Sequence, residues 1–156
     1  GSRHPSIAPF EAFKTKDSHI IIAAGNDKLF AKLCDVLKIP EASNDERFNS
    51  NSLRCENMDQ LKEIFEKQLN SKTTNEWVKE MEALKIPCGP IFNIKQAVEN
   101  PQVQERNMIV KSYHKIIGEF KSAGNPIKMS TYKDENTRGD IPDLDEHREK
   151  IIKEFS

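Results

Sequence analysis

HIIIAAGNDKLFAKLCDVLKIP, residues 19 to 40, changes its apolar period partway along, and that change decides the fold class. Ile20, Ile21 and Ile22 form a β-branched run suited to a pleated strand, whereas Leu29, Phe30, Leu33, Cys34 and Leu37 recur at helical spacing. Gly25 separates the two patterns, Asn26-Asp27 supplies an N-cap, and Pro40 stops the helix. Upstream, PFEAF (9–13) also has strand character, so residues 7 to 24 predict two strands joined by a turn at TKDS (15–18).

Further along, Asn57 is placed to cap a helix that buries Met58, Leu61, Ile64, Phe65 and Leu69. Thr73 with Glu76 three residues later fits a capping box, opening a helix with Trp77, Val78, Met81 and Leu84 on one side. IPCGPI (86–91) reads as a rigid connector that sets Ile91 and Phe92 against the core, because Pro87 and Pro90 fix φ. A short helix is expected near IKQAVEN (94–100), stopped by Pro101, with one more turn reaching Arg106. MIVKSYHKIIG (108–118) and EFKSAGNPIKMS (119–130) read as two strands with a turn at Gly118. The polar stretch TYKDENTRGD (131–140) separates them from a closing helix that begins near Asp143 or Asp145 and carries Ile151, Ile152 and Phe155. This order gives an α+β fold: a small antiparallel sheet with several packed helices.

The 156 residues suffice for a continuous core without disulfide or metal staples. Twenty-four basic residues against 25 acidic ones leave no large field, so neither nucleic acid nor an anionic membrane is the expected partner. No apolar run approaches the roughly 20 residues of a membrane-spanning helix, and no secretory signal opens the chain, which reads as soluble. Three cysteines without a Cys-x-x-Cys suit a reducing, intracellular compartment. Gly1-Ser2 and the absence of an initial methionine suggest a piece of something longer, preceded by a tag remnant.

Local chemistry is sparse. Cys88 follows a helix C-terminus, whose dipole disfavours thiolate, and so reads as a small structural hydrophobe. His4, His19, His114 and His147 show no metal-ligand spacing, and His147 suits a surface position on the last helix. Arg138-Gly139-Asp140 spells an adhesion tripeptide of a kind that arises by chance. Phosphate-binding glycine loops are absent.

Six stretches, taken in order, resemble one family. They are HPSIAPFEAFKTKDSHIIIAAGNDKLFAKLCDVL (4–37), DERFNSNSLRCEN (45–57), KTTNEWVKEMEALKIPCGPIFNI (72–94), PQVQERNMIV (101–110), GNPIKMS (124–130) and LDEHREKII (144–152). Together they resemble the family III CoA-transferases, which include formyl-CoA transferase, carnitine CoA-transferase and succinate-hydroxymethylglutarate CoA-transferase, with α-methylacyl-CoA racemase as a relative. Phe10 stands where that family often has tyrosine, Ser18 where a glycine usually turns the hairpin, and Asp145 where a glycine precedes Glu-His.

The resemblance implies a chain corresponding to the later part of such an enzyme. Residues 1–132 would form the small α+β domain, and residues 133–156 a linker and helix returning to a large Rossmann-like domain. It implies an acyl-CoA donor, a carboxylic acid acceptor and an interlocked homodimer. The nucleophilic aspartate would lie in the large domain, leaving no catalytic residue and no bound cofactor here, with CoA entering only as substrate. His4, Pro5 and Ser6 would form the substrate-proximal loop, which lacks the glycine-rich lid of related enzymes. A racemase of the same family and a stand-alone interaction module remain alternatives, and the compartment (mitochondrial, peroxisomal or cytoplasmic) stays open.

Overall fold

The computed structural model describes residues 1–156, which form two compact units, residues 1–91 and 92–156. In the first unit, strands β1 (Phe10–Lys14) and β2 (His19–Ala23) pair antiparallel with Phe13 opposite Ile20 and Ala12 opposite Ile21. Alternation along the strands sends Phe13, Ile20 and Ile22 into the core with no exposed surface. The turn closes through the Thr15 N–H, which donates to the Ser18 carbonyl (3.0 Å), and the Ser18 N–H, which donates to the Thr15 hydroxyl (3.2 Å). No residue of this turn has positive φ, so serine serves as well as glycine at position 18.

Helix α1 (Asp27–Val36) starts as expected, with the Asn26 side chain accepting from the Leu29 N–H at 2.8 Å, and it buries Phe30, Leu33 and Cys34. A short 3-10 turn follows at Pro40–Ser43. The next element is absent from the sequence reading: helix α2 (Asn51–Glu56), capped by Ser50, runs directly into α3 (Met58–Leu69). Asn57 is therefore not a side-chain cap. Its backbone (φ −105°, ψ 22°) lacks the extended conformation that a cap uses, and its amide instead donates to the carbonyls of Leu53 (3.0 Å) and Arg47 (3.3 Å).

Helix α4 (Thr74–Ala83) has the full capping box of Thr73 and Glu76. The hairpin turn is tied to its first turn: the Asp17 carboxylate accepts from the Thr74 N–H (2.8 Å) and hydroxyl (2.9 Å), contacts that hold its pKa below the usual value. Trp77 and Met81 are buried, and the indole N–H donates to the Leu69 carbonyl at 2.7 Å, fastening α4 to the end of α3. Leu84, expected on that buried side, is exposed because the helix ends at Ala83.

IPCGPI is more than a connector. Cys88–Pro90 form β3, paired antiparallel with β2 through Ile21 opposite Gly89, so the sheet order is β1-β2-β3. The strand ends at Pro90, and Ile91 and Phe92 are consequently exposed instead of set against the core.

The second unit holds helices α5 (Ile94–Val98) and α6 (Pro101–Glu105), with Pro101 opening α6 as well as following α5. Strands β4 (Ile109–His114) and β5 (Gly118–Ala123) form the predicted hairpin, turned by Gly118 at φ +76°. Gly124 packs so tightly that a Cβ there would lie 2.0 Å from the Asn107 carbonyl oxygen. The polar stretch contains a strand the sequence did not signal, β6 (Thr137–Asp140), which runs parallel to β4 and places Arg138-Gly139-Asp140 in a sheet. The closing helix, α7, spans Arg148–Phe155 and starts later than expected. Asp145 sits at φ +70°, in the left-handed region, so neither it nor Asp143 begins a helix; its carboxylate pairs with Arg148 at 2.7 Å.

Candidate functional site

The segment from Ser2 to Pro9 is tied down along its length by side chains of β1, α2 and α3. The Ala12 N–H donates to the Ser2 hydroxyl (3.1 Å), and Arg3 reaches Glu11 (2.8 Å) and Asp59 (2.7 Å). Glu11 is almost fully buried and also receives the Lys62 ammonium at 2.5 Å, so its charge lies between two cations. The His4 N–H donates to the Phe10 carbonyl (2.9 Å), and the imidazole stacks on the Phe10 ring with centroids 5.3 Å apart. Nδ1 of His4 accepts from the Ser6 N–H (3.2 Å), which puts the proton of the neutral ring on Nε2.

Two residues of α2, three apart and so on one helix face, hold the rest of the segment. Asn51 brackets it: Nδ2 donates to the Ser6 carbonyl (2.9 Å) and Oδ1 accepts from the Ala8 N–H (3.0 Å). Arg54, with no exposed surface, donates to three carbonyls from three separate segments: Ala8 (2.8 Å), Phe48 (2.9 Å) and Gly25 (2.8 Å). Its guanidinium also reaches the Asp27 carboxylate at 2.8 Å and lies over the Phe30 ring, 4.4 Å from the centroid.

Beside this segment lies an open groove of about 380 Å³. Ile7, Phe10, Ala23 and Leu29 make it apolar, and Asn26 and Asn51 stand at its edge. Gly25 is required there, because a Cβ would come within 2.1 Å of Ile7 Cγ2. A larger open pocket of about 780 Å³ lies in the second unit, lined in part by Arg106, Lys128 and Asp134. Its Asp134 bonds to Lys128 in the lining and to Arg138 outside it, and these two cations hold its pKa at about 2.

His4, Pro5 and Ser6 are thus brought next to the groove through the His4–Phe10 stack. Cys34, buried in the core, and Cys88, on β3, do not line this groove. Burial pushes the Cys34 thiol up to about 12, and burial with the nearby Glu82 carboxylate raises Cys88. At pH 8 both are protonated thiols, so a disulfide reagent should leave Cys34 unlabelled in the folded chain and react with it only after unfolding. Rapid native labelling of Cys34 would contradict its packing. No three His, Cys, Asp or Glu side chains are grouped to hold a metal ion.

Sequence reading missed Asn51, Arg54 and Glu11. A signal for Arg54 was available: Arg54, Met58, Leu61 and Phe65 follow the helical period, so the arginine continues the apolar stripe of α3 into the preceding turn. A charged residue on such a stripe must find internal partners.

The first unit is thus an α+β fold whose N-terminal segment is docked beside an apolar groove. The profile of CoA-transferase family III matches residues 1–148, and the chain belongs to that family. Over 156 residues it is 39% identical to an acetyl-CoA:oxalate CoA-transferase of Acetobacter aceti, covering all of this chain and 39% of that protein. It is 33% identical over 154 residues to a human succinyl-CoA:glutarate CoA-transferase, covering 99% of this chain and 35% of that one. The crystal structure of a CaiB/BaiF family protein from Brucella suis superposes on the whole chain with a TM-score of 0.78 and 30% identity, covering 40% of its own length. The chain thus spans about two fifths of the length of the proteins it matches.

Proposed function

We propose that these residues are the small-domain part of an enzyme that moves CoA from an acyl-CoA donor to a carboxylic acid acceptor. The family match over residues 1–148, with relatives named for CoA transfer to oxalate and glutarate, carries this reading. Transfer through an acyl-aspartyl anhydride and then an aspartyl-CoA thioester of the enzyme divides one difficult exchange into easier steps. In this reading an aspartate outside the present residues attacks the acyl-CoA thioester and releases CoA thiolate, and the thiolate attacks the aspartyl carbonyl of the resulting anhydride and frees the donor acid. The acceptor carboxylate then takes the CoA through a second anhydride that regenerates the aspartate; the small domain supplies the surroundings of the acyl group. In this reading residues 1–132 are that domain, and residues 133–156 first add β6 to its second sheet and then link back to the large domain. The complete enzyme works as an intracellular homodimer.

Within that frame His4, Pro5 and Ser6 are the substrate-proximal segment. An acyl anhydride hydrolyses readily in water, so its surroundings must be dry and already formed when it appears. The docked Ser2–Pro9 segment and the apolar side chains of Ile7 and Phe10 suit such a wall.

The test uses the complete protein with acetyl-CoA or succinyl-CoA labelled in CoA, and oxalate or glutarate as acceptor. Labelled CoA is expected on the acceptor, and the 156-residue chain by itself is expected to give no turnover. Exchange of the α-hydrogen of the donor with no movement of CoA would replace transfer by racemisation, and no reaction with any acyl-CoA would leave the interaction module standing.

A further inference from the structure

We propose that Asn51 and Arg54 are positioning residues that make the Ser6–Ala8 segment a fixed wall against water, in place of a lid that opens and closes. This inference rests on the proposed CoA transfer and names the residues that keep its intermediate dry.

The geometry points to this through a division of labour. Arg54 is wholly buried and ties the Ala8 carbonyl to the Phe48 and Gly25 carbonyls, so it fixes where the segment joins the core. Asn51 stands nearer the surface and makes a two-point contact with backbone alone, donating to Ser6 and accepting from Ala8. Those two bonds span Ile7, whose side chain lies directly on Gly25 and lines the apolar groove. An amide carries its donor and its acceptor on two separate atoms, which lets one side chain hold both ends of such a bracket. Further toward the N-terminus, the His4–Phe10 stack and the Arg3–Glu11 pair repeat the attachment, leaving no long free span to swing.

The chemical consequence is a partition between two acceptors. Transfer places CoA on an acceptor carboxylate and releases the donor acid. Hydrolysis consumes one water and yields the donor acid and free CoA thiol. If the Ser6–Ala8 wall loosens, water gains access and the second route grows at the expense of the first.

Asn51→Ala in the complete protein, assayed with succinyl-CoA and glutarate or oxalate, should raise the ratio of free CoA thiol to transferred CoA roughly tenfold, a factor suited to the loss of one or two net hydrogen bonds. Asn51→Asp keeps an acceptor for the Ala8 N–H but loses the donor to Ser6, and should fall between parent and alanine variant. Amide exchange at Ala8 is read on the same proteins and should accelerate in the same order. Faster exchange with an unchanged ratio would overturn the inference, as would unchanged exchange. Absence of transfer by the parent protein would overturn the proposed function and this inference with it; that case is told apart because Ala8 exchange needs no activity.

Discussion

Arg54→Met is expected to lower the thermal midpoint of the chain by roughly 10 °C. Methionine fills a similar volume and replaces four directed N–H contacts with none. The carbonyls of Ala8 and Phe48 then lose their partner in a buried region, and that of Gly25 in a partly buried one. Each buried acceptor left unpaired costs about 1 kcal/mol or more, so the sum is about 3 kcal/mol, and each kcal/mol moves the midpoint of a domain of this size by roughly 2 to 4 °C. The salt bridge itself contributes little to that loss, because Asp27 is largely exposed. Asp27→Asn should therefore cost less than about 1 kcal/mol, which separates the role of the carbonyls from that of the charge. Calorimetry on both variants checks this; equal, small shifts would mean that the three carbonyls are hydrated and that Arg54 is no hub. Arg54→Lys should fall between the two, since a single ammonium cannot match the forked guanidinium.

Phe65→Ala should destabilise the first unit by about 3 to 5 kcal/mol, the range for deleting a buried aromatic ring. Phe65 is fully buried on α3, with the ring of Phe13 on β1 at 5.8 Å and that of Phe30 on α1 at 6.2 Å. It therefore joins the sheet to two helices, and no neighbour can fill the space without leaving its own contact. Urea unfolding followed at the single Trp77 should show the loss as a lower midpoint with an unchanged slope. Phe155→Ala is the matched control, because that ring is 82% exposed on α7 and its removal should change stability by less than about 0.5 kcal/mol. A comparable loss at both positions would show that the core has been placed wrongly.

These two residues also mark where the sequence could be read and where it could not. Phe65 belongs to a stripe of Met58, Leu61, Phe65 and Leu69 whose period alone announces a buried helix face, and each of the four is buried. The hairpin, α1 and the capping box of α4 were legible for the same reason: their signals lie within a few residues of one another. Arg54 was not read because its partners sit 46, 29 and 6 residues away, and nothing local says that three carbonyls will converge on it. β6 escaped because its pairing with β4 is parallel and distant, so polar residues such as Thr137 and Arg138 join a sheet without an apolar alternation of their own.

By itself, the order of periods and caps determined an α+β chain, and the six ordered motifs determined the resemblance to family III CoA-transferases. His4, Pro5 and Ser6 could be singled out only through that resemblance, since a loop of polar and proline residues has no periodicity to read. Tertiary structure decided that the segment carrying them is docked, by Asn51 and Arg54, and that IPCGPI is a third strand. The reason is physical: helical and strand periods are set by neighbours along the chain, whereas a buried donor finds its acceptors only when distant segments meet.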